Sequence, residues 1–521
     1  MNRLTMMAAM IPLAALMSGC DDGSDGNDGA DGLNSLVATR ALPLGDADCP
    51  GGGLAFDSGL DSNANGVLDA SEVTATEFLE CEAAPLLRAF HASPDAPAVN
   101  ILVNGAAALT DVPFKAASGF LPAAESTQLQ VEAIIPGGNA IVIDETLPLT
   151  FNTEYTVVAL GTVNAPISAI VIENPAGEPI FPGNVRAQVL HAAEGAPAVD
   201  VFVTAAGADL TASAPVNTTP LAFQGFTDRV EVPAGNYQIR VTLAGDPATV
   251  VYDTGEIPLP GDVDLLIAAV DNTRPGDRPI ELVLIDSEGA SDLDDAAKPS
   301  AAIAVHASPD AGNVDILADD GATAEDDALA LAVNVPFTAA CIVESVPVGS
   351  FTLNVTPTGD PATIALPIPY ESVAGAATTA IVTGFLMSTP ELQPIAFATD
   401  ARSVITETRL RVTHASPSTG DVDIYLLADG TDFTDDSVEP SFAAVPFTAD
   451  TTQLSIAPGV YDIYVTPAGD KDTVAIEVQD LAVNGGQVLD VIARDPATDG
   501  SEGALPQLIV IDYDTLGACA M

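Results

Sequence analysis

The chain has no tryptophan, and aromatic residues make up only 5% of its 521 positions. Stacking platforms for sugars or bases are therefore scarce. Cations are also few: 15 Lys and Arg stand against 73 Asp and Glu, a formal net charge of −58. Nucleic acid and anionic membrane surfaces are recognised by clustered cations, so neither is an expected partner. Histidine occurs only four times and cysteine five times. Beyond the first twenty residues no run of 18 apolar residues occurs, so no later segment reads as a membrane-spanning helix. What is plentiful is small apolar material. Hydrophobic residues reach 48%, which argues against a disordered chain, and 42 Gly and 40 Pro suit many short strands and turns.

Residues 1–19 read as an export signal, with Arg3 ahead of an uncharged stretch Leu4–Met17 and small residues before Cys20. Leu16-Met17-Ser18-Gly19-Cys20 resembles the lipobox of bacterial lipoprotein signals, with Met17 where Leu is usual. The resemblance implies cleavage before Cys20, lipidation of its thiol and attachment to a membrane through that lipid. The expected location is the bacterial cell envelope, at the outer membrane, the periplasmic face of the inner membrane or the cell surface. Residues 20–34 are an acidic Gly/Asp tether, with Asp-Gly recurring every third residue.

Residues 35–83 read as a small module around one loop. Asp61 to Glu72 matches the twelve-residue EF-hand pattern D-x-[DN]-x-[DN]-G-x-x-x-x-x-E. Asp61, Asn63, Asn65 and Asp69 offer side-chain oxygens, Val67 its carbonyl, and Glu72 two carboxylate oxygens for Ca2+. Gly51-Gly52-Gly53 argues against a full entering helix, while Asp69-x-x-Glu72 suggests a short helix starting near Ala70. Cys49 and Cys81 bracket the loop and are expected to form a disulfide. The pairing of Cys341 and Cys519 is left open.

The four histidines each open nearly the same phrase: HASPDAPAVNILV at His91, HAAEGAPAVDVFV at His191, HASPDAGNVDILA at His306 and HASPSTGDVDIYL at His414. Their spacing near 100 residues suits whole domains. Val-Pro-Phe follows at residues 112–114, 335–337 and 445–447, with Leu221-Ala222-Phe223 in the second copy. Short Val-, Ile- and Thr-rich runs between Gly, Pro and Asp turns read as strands. The expected fold is all-β: four tandem immunoglobulin-like β-sandwich domains, at 85–176, 183–289, 300–398 and 407–517, after the calcium-loop module. Tyr237, Phe351 and Tyr461 stand where such sandwiches carry a corner aromatic. Domains of this kind are expected to share little core and to unfold separately.

The phrase H-A-S-P-D-A-P with P-A-G-x-Y downstream resembles the bacterial domain-of-unknown-function family DUF 4397, in four copies. That resemblance implies a domain type and frequent export, and no activity. Chemistry must therefore be argued from the residues. Each His is followed nine residues on by Asn100, Asp200, Asp315 or Asp423, and two residues on by Ser93, Ser308 or Ser416, with Ala193 in the second copy. A His that locks a turn explains four equivalent copies better than a catalytic one does, so His91, His191, His306 and His414 are expected to be structural, and the chain no enzyme. A structural, adhesion or display role in the envelope follows. The alternatives are an extracellular hydrolase using a His–Asp pair in one repeat, and a carbohydrate-binding module.

Overall fold

Branched and aromatic side chains pack well on a pleated surface, and the Val/Ile/Thr/Tyr runs form strands throughout. A computed structural model describes residues 33–43, 46–49, 52–79, 83–163, 167–275, 279–321, 328–498 and 500–521. The signal, Cys20, most of the tether and Cys81 lie outside the described residues. Among the described residues there is no α-helix, and one short 3-10 turn at Leu210–Ala212.

The chain divides into two units, 1–82 and 83–521. In the first, β1 (Ser35–Leu42), β2 (Gly53–Leu60) and β3 (Val73–Leu79) form an antiparallel meander. The loop 61–72 thus closes a β-hairpin. The helix expected near Ala70 is absent, because Val73 and its successors pair with β2 and take the chain straight into a strand. At Gly59 a Cβ would lie 1.9 Å from the Glu72 carbonyl oxygen, so the hairpin closes only over a glycine. Cys49 is fully buried and disulfide-bonded.

The second unit holds four β-sandwiches. In the first, β4 (Leu86–His91), β5 (Val99–Val103), β6 (Ala106–Val112), β7 (Leu121–Pro122), β8 (Ser126–Ala133), β9 (Ala140–Pro148), β10 (Thr153–Leu160) and β11 (Ser168–Pro175) build two sheets, in the orders β11-β10-β4-β7 and β6-β5-β8-β9. The histidine strand β4 runs parallel to β10. The third and fourth copies repeat this arrangement, and the second has a three-stranded outer sheet and a five-stranded inner one. Two of the three corner aromatics behave as the sandwich analogy suggests, while Phe351 has no hydroxyl and packs against Tyr370 instead. The Tyr237 and Tyr461 hydroxyls donate to the carbonyls of Pro233 (2.7 Å) and Ala457 (2.9 Å), four residues upstream.

The repeats pack against one another in pairs. The inner sheets of copies one and two face each other across a common core that joins Phe90, Val158, Leu160 and Ile172 to Leu190, Leu266, Val270 and Val283. Copies three and four share a second such core, joining Ile303, Val305 and Ile381 to Ile492, Ile509 and Ile511. Each copy keeps a core of its own, but the expectation that the copies share little core is corrected: they share a further core in pairs. The physical reason is in the inner strands, which are apolar on both faces: in β10, Tyr155 and Val157 fill the first copy's own sandwich while Val158 and Leu160 fill the shared core. The second pair is also tied covalently by a disulfide between Cys341 and Cys519, 178 residues apart. Around it the C-terminal tail completes the third copy, Ile342 donating to Gly517 (2.9 Å) and Cys519 to Ile342 (2.8 Å).

Candidate functional site

Each histidine stands at the end of an inner strand, as its last residue or, for His414, one before it, where the chain turns toward the outer sheet, and all four are at most 3% exposed. The Nε2 atom lies on the carbonyl six residues on: Pro97 at 3.0 Å, Pro197 at 3.0 Å, Gly312 at 2.6 Å and Gly420 at 3.0 Å. A carbonyl only accepts, so Nε2 carries the proton and Nδ1 is the acceptor. Nδ1 takes the N–H of Ser93 (3.3 Å), Ser308 (3.4 Å) and Ser416 (3.4 Å); in the second copy, where Ala193 replaces serine, His191 Nδ1 is buried without a partner in the structure. Burial drives the His91 pKa down to about 4, and lowers those of His306 and His414. His91, His306 and His414 are thus neutral side chains with both nitrogens committed to one turn.

The Val-Pro-Phe phrase closes the other side of that turn. The His91 main chain pairs with Lys115 and Ala116, and His191, His306 and His414 repeat this with Gln224/Gly225, Thr338/Ala339 and Thr448/Ala449. The residue after each Phe has positive φ, at 69°, 68°, 74° and 77° for Lys115, Gln224, Thr338 and Thr448. Four non-glycine residues held left-handed at one position mark a turn imposed by its surroundings. Phe114, Phe337 and Phe447 then pack edge-on against their histidines, with ring centroids 6.0–6.2 Å apart.

The acids nine residues on serve a different lock. Asp315 accepts the N–H of Asn334 (2.6 Å) and Gly359 (2.9 Å), and Asp423 that of Ala444 (2.7 Å) and Gly469 (2.8 Å). Asp200 accepts from Asn217 and Gly245, and Asn100 from Asp111. His and Asp therefore brace separate turns.

A third acid alternates in origin, which sequence reasoning missed. In the odd copies it is the aspartate of H-A-S-P-D: Asp95 accepts Val163 N–H, and Asp310 accepts Leu386 and Met387 N–H. In the even copies that position is Gly195 or Ser418, and the acid stands at the end of the facing strand. Asp271 accepts Glu194 and Gly195 N–H, and Asp495 accepts Ser418 N–H. The same bridge is built from opposite sides, so the repeat unit is an odd–even pair. The missing Asp of the phrase in copies two and four, Gly195 and Ser418 in its place, was the available signal.

The loop 61–72 is drawn together by its own side chains. Asp61, 3% exposed, accepts the N–H of Asn65 (3.0 Å) and Gly66 (2.9 Å). Asn63 and Asn65 both donate to Asp69 Oδ2, at 2.8 and 2.9 Å. Positions three, five and nine of the loop thus converge on one point. Glu72 accepts from Ser62 N–H and Oγ (both 2.8 Å), Asn63 N–H (3.2 Å) and Asp69 N–H (3.1 Å), and the Ser62 hydroxyl bond leads in lowering its pKa. Val67 is exposed at the turn. Among the described residues no three Asp, Glu, His or Cys side chains form a metal cluster. The loop's oxygens are instead a mixture of carboxylate, amide and main chain, a set that suits a hard cation.

Residues 85–202 and 301–425 match the family model described as a domain of unknown function, DUF4397, each match covering an odd copy and the opening strands of the even copy after it. These stretches are tandem DUF4397 repeats. Residues 34–80 match a second, DUF7151, also described as a domain of unknown function. No curated protein matches the chain.

Proposed function

We propose that this chain of tandem DUF4397 domains is an exported, lipid-anchored envelope or surface protein whose role is structural, in adhesion or display, with a calcium-responsive module near its anchor. The observation that carries the reading is the fourfold equivalence of the histidine turns. In every copy the histidine Nε2, which a hydrolase would leave poised toward a substrate, is committed to a main-chain carbonyl. Residues 1–19 and Cys20 supply export and the anchor. Asp61, Asn63, Asn65, the Val67 carbonyl, Asp69 and Glu72 would hold Ca2+, with an affinity of about 0.1–1 mM, in the range of extracellular modules. Cys81 is the partner proposed for Cys49.

The experiment is fractionation of cells making the full chain. Protease added to intact cells or spheroplasts should degrade it, and Cys20→Ser should shift it from membranes to the soluble fraction. A chain that stays in the cytoplasm would overturn the reading. Calorimetry of the full mature chain should show one calcium site that Glu72→Ala removes. An absence of saturable heat at 10-fold above that affinity would reduce the loop to a turn.

A further inference from the structure

All four sandwiches meet at one cleft, where the two pairs join. Its cavities, of about 410 and 300 Å3, lie on either side of Arg274 and Arg402, which line both. The smaller one is also lined by Lys115 and Arg409, so four of the chain's 15 cations converge there. For a protein of net charge −58 this is a concentrated exception. The larger cavity has an apolar wall of Ile303, Ile342 and Leu516.

The four cations differ in how they are spent. Lys115 bonds Glu281 (2.6 Å) and Asp292 (2.8 Å), Arg274 bonds the same Asp292, and Arg409 bonds Asp400 (2.7 Å). Arg402 forms no ion pair among the described residues. One of its Nη atoms donates to the carbonyls of Pro94 (3.2 Å) and Ala96 (2.9 Å), and its guanidinium lies 5.5 Å over the Phe114 ring. Burial, and then the nearby charge of Arg409, lower its pKa on balance, although Asp400, Glu407 and Asp95 partly offset them. The cleft therefore offers a half-desolvated guanidinium beside an apolar wall, with Asp400, Glu407 and Asp95 nearby but none of them directly ion-paired to it among the described residues.

We propose that this cleft binds a small amphiphilic monocarboxylate, its carboxylate at Arg402 and its apolar body along Ile303, Ile342 and Leu516. A guanidinium and a carboxylate match in shape and charge. Asp95, Asp400 and Asp514 line the same cavities, so a ligand with one negative charge is opposed less than a phosphate dianion would be. The apolar wall supplies affinity that the acidic surface otherwise denies to a free anion.

The test is titration of the full chain with octanoate, followed by calorimetry or ligand-observed NMR. Octanoate should bind saturably at one site, and the neutral octanamide and inorganic phosphate at least 10-fold more weakly. Arg402→Gln should weaken octanoate at least 10-fold. Because that variant also loses the bonds to Pro94 and Ala96, Leu516→Asp provides a second one, placing a repelling charge on the slot wall while Arg402 stays in place. It should weaken octanoate to a similar degree. The proposal fails if octanoate does not saturate, if octanamide or phosphate binds as well as octanoate, or if both variants bind octanoate like the parent.

Discussion

The two pairs of sandwiches share a fold and a mode of packing but are fastened by different chemistry. In the first, Lys115 crosses from copy one to Glu281 and Asp292 of copy two, and Arg274 reinforces the same acids. In the second, Thr338 holds the position of Lys115, and by strand register Gln507 holds that of Glu281. The fastening there is the Cys341–Cys519 disulfide, the tail strand around it, and Arg494 stacked 4.7 Å over Phe337. A shared apolar core is thus the common requirement, and the clamp at its edge is free to vary. One pair should be sensitive to salt and the other to reductant.

The largest effect that tests this contrast is removal of the disulfide. Closing a 178-residue loop lowers the entropy of the unfolded chain by about 5 kcal/mol on the chain-entropy model, and native disulfides typically contribute about 2–5. Cys519→Ser should lower the unfolding temperature of copies three and four while leaving copies one and two unchanged, as read by hydrogen exchange along the chain. The position has a further use. Ser118, Thr227 and Thr451 stand where Cys341 stands, and their hydroxyls accept the N–H of Ala89, Val189 and Val412. Cys341→Thr should therefore recover about 1 kcal/mol relative to Cys341→Ala.

A slightly smaller loss tests the pairing itself. Phe90 is 1% exposed and belongs to copy one, yet it packs in the core shared with copy two. Phe90→Ala should cost about 4 kcal/mol through lost burial and the cavity left behind. Copies one and two should lose exchange protection together. If copy one alone weakens, the sandwiches are independent and the pair is only a docking arrangement.

Much of this architecture was open to sequence reading. The four histidine phrases, the strand runs and the corner tyrosines all reported local chemistry that survives in the fold. The pairing was legible too, in a signal that pointed the other way from alternation. Val157-Val158-Ala159-Leu160 and Leu265-Leu266-Ile267-Ala268 are unbroken apolar runs, and a strand exposed on one face would alternate. What could not be read is partner choice: each run says that a second face is buried, not which sheet covers it. Cys341 and Cys519 were opaque for the same reason, since their proximity depends on a tail that returns from copy four to copy three. The loop 61–72 was legible as a set of oxygens, but its scaffold was not. The capping pattern at Asp69 and Glu72 closes a hairpin here, because β-branched Val73, Thr74 and Thr76 follow it.

Acid sharpens the comparison at the histidines. His91 titrates at about 4 in the folded chain, against about 6.5 when unfolded, because burial disfavours its charged form. Its contribution is intact above pH 6.5 and is lost as pH falls toward 4, where the unfolded chain gains a proton that the folded one refuses. The full loss is about 3 kcal/mol for this one residue. Many carboxylates titrate nearby, so the measurement is a difference. Melting curves of the parent and of His91→Gln between pH 7 and 4 should converge as pH falls. Parallel curves would mean that His91 carries no such linkage.

The smallest effect belongs to the ionic clamp. Lys115→Met removes one cation from Glu281 and Asp292, but Arg274 still reaches both acids, so Glu281 is not left buried without a counter-charge. Lys115 retains 17% exposure and Asp292 35%, which lets water and salt screen part of the pair. The expected cost is about 1 kcal/mol, confined to copies one and two. Raising NaCl from 50 to 500 mM should reproduce part of that loss in the parent and less in the variant, where only the Arg274 pairs remain to be screened. Copies three and four, whose clamp is covalent, should not respond at this edge. If they soften equally with salt, the decline reflects general screening across an acidic surface, and the distinction between an ionic pair and a covalent one would not hold.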